Sequence, residues 1–519
     1  MPKKLLIIGW DGADWEIIDA LISRGCLPYV EQMTQHGARA DLASTIPTHS
    51  WTAWSTFLTG KGPGGHGVFD FVETHPDQPG RRIPVSSTSV KGQTFLEQLS
   101  DASYELRIGN VPVTFPPIAI RGRMIGGVAI PPGAEFVYPK DFSDELGRRA
   151  PFPTNGLEWT RVEDAAALVE EARQLVKLRT AAFEVLLEGD WHVAVCVYVA
   201  PDRLQHAMGA YLLPSHPAHD ELVDTPVGRD LSEVYRLLDS SIERLHSKAG
   251  ADTLLVLMSD HGFRPVSHAA NLTMILTDLG LAARARTAAA TTALRRSALV
   301  RALRKSRVGH AVKQRVKRPS TLDWSRTVAY VSAMGGGVSI NLKGREEQGI
   351  VEARDFQKVR AEVKDRLLAW RDPETGDAPI GRVFLNEEVF AGPHANAGPD
   401  LIVQPSDLWV LSHTNTLTAP TDWPTGAHRR RGILIAIGEG IPNSNLGERY
   451  IADIPATALA FCGLSTEGLD GRVIDEIARL STVATPTAKS EPVRHQSHEL
   501  SEEDQESIAQ HLRDLGYIE

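Results

Sequence analysis

The chain has 519 residues, enough to bury a large core as one domain with insertions or as two domains. Its composition is that of an ordinary folded protein, 42% hydrophobic and 23% charged, and its formal net charge of -10 excludes a globally basic nucleic-acid binder. Three widely spaced cysteines, Cys26, Cys196 and Cys462, exclude a disulfide framework or a zinc ribbon.

The first element predicted is a strand over KLLIIGW. Two lysines precede it, as in a secretory leader, but LLII is too short for the apolar region of one and Gly-Trp-Asp-Gly follows at once. Further along, WHVAVCVYVA, TLLVLMSD and GILIAIG read as buried parallel strands, because they are continuous and rich in Val, Ile and Leu rather than alternating. Cys196, inside the first of these, is expected as a small buried hydrophobe. EEARQLVKLRTAAFEVLLEG and SEVYRLLDSSIERLHSKAG carry helical periodicity. Alternating strands and helices imply an α/β fold, a mostly parallel central sheet with helices on both faces. No run approaches the roughly 18 apolar residues of a membrane span, so a cytoplasmic location is expected.

Between Arg284 and Arg318 there is no acidic residue, and RRSALVRALRKSRVGHAVKQRVKR is expected to form a basic helical insertion. The expected division is a catalytic domain over 1–280 and 326–480, the insertion over 281–325, and a linker with a C-terminal helix over 481–519. In that tail Ser501 is a candidate N-cap, and Ile508, Leu512 and Leu515 form a stripe that would dock on the body or on a second subunit of a homo-oligomer.

Five short stretches offer metal-type ligands beside apolar runs. They supply Asp11, Ser50, the pair Asp202 and His206, the pair Asp260 and His261, and His428. Three carboxylates, three imidazoles and a hydroxyl are what two divalent ions and an activated nucleophile require. In parallel sheets ligands gather outside the carboxyl ends of the strands, where Asp11, Asp202 and Asp260 all fall. Helical structure after Pro201 would turn Asp202 and His206 to one side. Gly262 is expected to permit an irregular turn that lets both Asp260 and His261 reach the cleft. His428 precedes its strand and is expected on a loop. His49 and His66 are expected in structural hydrogen bonds and Asp14 at a helix N-terminus; His394 and Asp400 are further candidates, of which Asp400, just ahead of a strand, is expected to stabilise a turn.

These motifs resemble the alkaline phosphatase superfamily, in particular its type I phosphodiesterase/nucleotide pyrophosphatase branch. The resemblance rests on Asp11-Gly12, STFLTGKGPGGHGVFDF, NVPVTFPP from Asn110 to Pro117, PDRLQH, SDHGF, INLKGRE from Ile340 to Glu346, and AHRRRGI, spread over about residues 5 to 435. It implies the fold of that superfamily with helical cap insertions, and hydrolysis of phosphate esters, most of all diesters, through a covalent phosphoryl-enzyme intermediate. Asp11, Asp260 and His261 match the ligands of one metal, which also holds the nucleophile oxygen; Asp202, His206 and His428 match those of the second. The branch places a Thr or Ser ten residues before the Gly of a Thr-Gly pair, and counting back from Gly60 reaches Ser50, with Thr48 and Thr52 as rivals. Where the nucleotide pyrophosphatases carry a phosphate-binding Asn this chain has Ala53, and their nearby proline is replaced by Thr52. Zinc is favoured by the three imidazoles, and manganese is tolerated because three carboxylates accompany them. The expected partner is a phosphorylated small molecule or a nucleotide-like one, and no nucleic acid. A phosphomonoesterase, a phosphotransferase or mutase would use the same residues. A non-enzymatic binding protein relying on the basic insertion is the remaining alternative.

Overall fold

A computed structural model describes residues 3–74, 82–154, 157, 164–285, 322–333, 335–412, 416–421, 425–481, 483 and 500–514. Chain contacts divide it into two compact units. One comprises Met1–Ser267, Asn386–Gly398 and Pro420–Glu519; the other comprises His268–Leu385 and Pro399–Ala419.

The first unit is built on a large sheet. Its strands are β1 (Lys4–Trp10), β2 (Ala38–Ala43), β3 (Leu106–Val111), β4 (Gly122–Gly126), β5 (Val137–Tyr138), β6 (Val193–Tyr198), β7 (Thr253–Met258), β8 (Arg431–Ile437) and β9 (Ser444–Tyr450). They lie in the order β9-β2-β8-β7-β1-β6-β3-β4-β5. Strand β1 pairs in parallel with β6 and β7, and β3 in parallel with β6 and β4. The helices used below are α1 (Trp15–Ser23), α2 (Ser50–Thr59), α3 (Ala165–Leu186), α4 (Ala200–Leu212), α5 (Pro226–Ala249) and α6 (Glu502–Asp514). They surround the sheet, and the architecture is the α/β one expected.

Strands β1, β6 and β7 are buried almost end to end, which explains their unbroken apolar sequences. Trp10 closes β1 against Tyr235 of α5, ring edge to ring face at 6.4 Å between centroids. Cys196 is fully buried in β6, where lack of solvation pushes its thiol far above the usual range.

One strand corrects the expected topology. GILIAIG, in β8, runs antiparallel to both of its neighbours, β7 and β2. Its apolar run reports burial on both faces, not direction, so a central antiparallel strand reads like a parallel one. The reversal matters for the site. The amino end of β8 lies at the edge where β1, β6 and β7 have their carboxyl ends, and His428 just precedes it.

The second unit holds a four-stranded antiparallel sheet in the order Ala329–Ala333, Gly337–Ile340, Leu401–Pro405, Ile380–Leu385. The helix Phe356–Ala369 belongs to the same core, in which Val363, Leu367, Val383 and Leu401 are buried. Residues 326–385, expected in the catalytic domain, therefore form part of a separate unit, because their strands pair with one another and not with the large sheet. Asp400 fixes the INLKGRE segment there: Arg345 donates to both its oxygens at 2.7 and 2.6 Å, and the Ile340 amide donates at 2.7 Å. The basic helices expected around 295–318 lie outside the described residues, as does most of the linker.

Helix α6 docks on the chain's own body beside the Arg82–Pro84 strand, burying Ile508 and Leu512. The Ser501 hydroxyl accepts from the Asp504 amide at 3.1 Å, the cap expected there; Leu515 is outside the described residues. Among those residues no helix is long and apolar enough to cross a membrane.

Candidate metal and phosphoryl-transfer site

The carboxyl ends of β1, β6 and β7 deliver the three carboxylates to one place. Asp11 is the residue after β1, and its amide stays tied to β6 through the Tyr198 carbonyl at 3.0 Å. Asp202 lies in the first turn of α4, after Pro201, with His206 one turn on and 3.5 Å away between Oδ1 and Nε2. Asp260 and His261 follow β7. All three carboxylates and His261 are buried.

His428 does not arrive on a loop. It sits in the short strand Gly426–Arg429, paired antiparallel with Gly262–Ala270 so that His428 lies opposite Phe263. Gly262 is likewise needed for a different reason from the one expected. Its φ is not positive; it starts this strand, and a β-carbon there would collide with the Arg431 carbonyl and the Asp14 carboxylate. Gly12 is the glycine with left-handed backbone, φ +74°, and its amide donates to Asp260 Oδ1 at 3.1 Å.

The cluster that results is tight. His261 Nε2 is 3.3 Å from Asp260 Oδ2, 3.8 Å from Asp11 Oδ1 and 4.0 Å from Asp202 Oδ1. His428 Nε2 is 3.2 Å from Asp202 Oδ1 and 2.8 Å from His206 Nε2. Among the described residues, two groups have ligand atoms within 4.8 Å of one another: Asp11, Asp260 and His261, and Asp202, His261 and His428. His261 thus stands between the two carboxylate groups, and His206 joins the second through Asp202 and His428.

The chemistry of these donors fits divalent cations. Each imidazole has its Nδ1 against a backbone carbonyl: His206 with Gly426 at 3.1 Å, His261 with Gly262 at 3.2 Å, His428 with Thr48 at 3.1 Å. A carbonyl only accepts, so Nδ1 carries the proton and all three Nε2 lone pairs point inward. Two such lone pairs 2.8 Å apart, and an Asp260 Oδ2 that is buried with no hydrogen-bond donor, call for a cation. Ligands at about 2.0–2.2 Å from a tetrahedral ion lie roughly 3.3–3.6 Å apart, close to most of the spacings above.

The electrostatics agree. Burial, then repulsion from Asp202, pushes Asp11 up to about 8. Burial also raises Asp260, with Asp11 and Asp202 adding to the effect. Asp202 moves the other way: burial would raise it, but His206, His428 and Arg203 together outweigh that. Burial holds His261 and His206 neutral, with His206 lowered to about 3. Three carboxylates in so dry a place cannot all ionise without added positive charge.

Ser50 is the first residue of α2 and faces the cluster. Its Oγ is 3.2 Å from His261 Nε2 and 3.4 Å from Asp11 Oδ1. The rival hydroxyls are engaged elsewhere: Thr48 donates to the Thr45 carbonyl at 2.8 Å, and Thr52 bonds the His49 ring at 3.0 Å. His49 caps α2 and meets the Phe69 carbonyl at 3.0 Å. His66 meets the Thr56 hydroxyl at 3.0 Å and accepts from the Val68 amide. Both make the hydrogen bonds expected of them, and burial lowers them to about 4 and about 3. The His394 amide donates to Gly64 at 2.8 Å.

Two supporting residues escape sequence reasoning. Trp54 donates from Nε1 to Asp11 Oδ2 at 3.0 Å, which leaves Oδ1 for the cluster. Asp14 caps α1, as expected, but also accepts from the Phe263 amide at 3.1 Å and binds Arg429, the neighbour of His428. One carboxylate thereby holds both the strand that follows His261 and the strand that carries His428. Only the position of Trp54, one helical turn after Ser50, hinted at its role. Substituting Trp54→Phe removes the indole donor while keeping an aromatic ring, and is expected to weaken metal retention about 10- to 100-fold in a competitive chelator titration. Unchanged affinity would mean that Asp11 is oriented without it.

The model for "Type I phosphodiesterase / nucleotide pyrophosphatase" matches residues 5–430. Among solved structures, the chain is similar to phosphonoacetate hydrolase from Sinorhizobium meliloti 1021 in complex with phosphonoformate, with a TM-score of 0.56, 16% identity, and coverage of 88% of this chain and 95% of that one. It is also similar to murine ectonucleotide pyrophosphatase/phosphodiesterase 5, with a TM-score of 0.52, 13% identity, and coverage of 90% and 97%. An inactive form of that murine protein in complex with AMP aligns with a TM-score of 0.52, 12% identity, and coverage of 91% and 97%. No curated protein matches the sequence.

Proposed function

Because this chain belongs to the type I phosphodiesterase/nucleotide pyrophosphatase family, we propose that it hydrolyses phosphodiesters, with Ser50 as nucleophile and two divalent ions held by the clustered side chains. The observation that carries this reading is the Ser50 hydroxyl set 3.2 Å from His261 and 3.4 Å from Asp11, beside a cluster in which Asp260 Oδ2 is buried without a hydrogen-bond donor.

Asp11, Asp260 and His261 would hold one ion, and Asp202, His206 and His428 the other. When bound, such ions neutralise the phosphate oxygens, lower the pKa of a nearby hydroxyl and stabilise the departing alkoxide. Zinc suits the imidazoles and manganese the carboxylates. Ser50 Oγ attacks phosphorus in line, its proton passing to solvent; the Oγ–P bond forms as the bond to the leaving alcohol breaks. Water then attacks the phosphoseryl group from the opposite side, which releases the phosphate monoester and restores the hydroxyl. Trp54 and the Nδ1–carbonyl bonds keep the ligand atoms aimed throughout, so no reorganisation is needed during reaction.

Murine ectonucleotide pyrophosphatase/phosphodiesterase 5 has been captured with AMP, which favours a nucleotide-like substrate. Ala53 departs from that, since it offers no side-chain amide to a phosphate oxygen. The test is hydrolysis of bis(p-nitrophenyl) phosphate beside p-nitrophenyl phosphate by zinc- or manganese-loaded protein. Preference for the diester is expected. Preference for the monoester would replace the proposal with a phosphatase or mutase, and failure to cleave either in metal-loaded protein would favour the binding-protein alternative.

A further inference from the structure

Beside the metal-type cluster lies a second pocket that the chemistry above leaves unused. It follows the carboxyl ends of β3 and β6, one strand along from β1. Its lining includes Asn110, Phe152, Arg179 and Arg203, with Ile130 and Val199 supplying apolar walls. Arg203 is the residue after Asp202, and its Nε is 3.8 Å from that carboxylate.

The two arginines are an unusual pair. Both are buried, Arg179 to 6% exposure and Arg203 to 2%. Arg179 Nε has no hydrogen-bond partner. Its guanidinium lies 5.7 Å from the centre of the Phe152 ring. Among the described residues no carboxylate faces Arg179. Burial first, then repulsion from Arg203, pushes it down to about 10. Two cations sharing an apolar pocket, one of them without an anionic partner among the described residues, are costly unless an anion joins them.

The backbone points to the same place. Asn110, Val128 and Ala129 all line this pocket, and all three have left-handed backbone, with φ of 59°, 51° and 58°. That conformation is rare for a β-branched residue, and strained positions concentrate where ligands bind. Asn110 opens the NVPVTFPP motif, for which the proposed mechanism has no use.

We propose that Arg179 and Arg203 form a subsite for a second anionic group of the substrate, a carboxylate or phosphate joined by a short linker to the phosphorus that Ser50 attacks. This rests on the phosphodiesterase reading for its reaction, but not for the binding of an anion. Arginine forks suit either oxyanion by paired, charge-assisted hydrogen bonds. Because Arg203 Nε lies 3.8 Å from the Asp202 carboxylate, the anion would be anchored next to the cleaved ester and would orient it.

Two measurements test it. Inorganic sulfate is titrated calorimetrically into the wild type, Arg179→Gln, Arg179→Lys and Asp260→Ala. Binding is expected in the wild type and in Asp260→Ala, which lacks a cluster ligand, with affinity about tenfold lower or worse in Arg179→Gln and a smaller loss in Arg179→Lys. Equal affinity in the wild type and both Arg179 variants, or loss of sulfate binding in Asp260→Ala alone, overturns the pocket. Then p-nitrophenyl carboxymethyl phosphate is compared with p-nitrophenyl ethyl phosphate. The wild type is expected to favour the carboxylate-bearing ester about tenfold in kcat/KM, and Arg179→Gln to lose that preference. The same preference in both proteins overturns the substrate assignment. If neither ester is cleaved but sulfate binding still depends on Arg179, the phosphodiesterase reading has failed while the anion pocket stands.

Discussion

Ser50→Ala is expected to lower diester turnover by about a thousandfold or more while leaving bound metal at the wild-type level, since removal of a covalent nucleophile commonly costs that much and the six other cluster side chains remain. The hydroxyl is the only atom lost, and the residue lies at the start of α2, where alanine is well tolerated. Metal content by elemental analysis and single-turnover kinetics on the same sample make the comparison. Full activity would shift the nucleophile elsewhere, and Thr48 and Thr52 are poor substitutes because their hydroxyls already bond Thr45 and His49. Loss of metal together with activity would make Ser50 a ligand first and leave its nucleophilic role unsupported.

Asp260→Ala should act in the opposite sense on metal, removing metal and activity together. Its Oδ2 is buried without a donor, and its Oδ1 is held by the Gly12 amide, so the side chain is aimed rather than adaptable. Affinity is expected to fall by more than about a hundredfold, beyond the effect typical of a residue that merely supports a ligand. A second consequence separates this account from a simple structural role. In metal-free protein, Asp260 is a buried carboxylate beside two others, which raises its pKa and costs stability. Metal-free Asp260→Ala should therefore melt at or above the temperature of metal-free wild type, while metal-loaded wild type melts higher than both. If the variant keeps its metal, or melts well below the metal-free wild type, the carboxylate serves the fold and not a cation.

These two variants bear on different atoms of one cluster, and their effects on metal should diverge even though both lose activity. Trp54 offers a graded intermediate, because it touches Asp11 from outside the cluster.

Local pattern determined much of this protein. Buried strands announce themselves by unbroken apolar runs, so β1, β6 and β7 were legible, and with them the polar residues at their carboxyl ends, where backbone pairing stops and side chains are released. Pro201 ahead of Asp202 and His206 signalled a helix start, and that helix is present as α4. The ordered motifs around Asp11, Ser50, Asp202, Asp260 and His428 pointed to one family because each places a ligand type at a fixed offset from a strand. What pattern could not determine was anything that depends on which elements meet. The direction of β8 follows from its pairing with β7 and β2, not from its own residues. The strand position of His428 depends on Phe263, some 165 residues earlier in the chain. The second unit arises because the strands within 329–405 pair among themselves. Trp54, Asp14 and the Arg179–Arg203 pair likewise acquire their roles from neighbours remote in sequence. A sequence records what each residue can do; only packing decides which lone pairs are left without a donor and which charges are left without a partner.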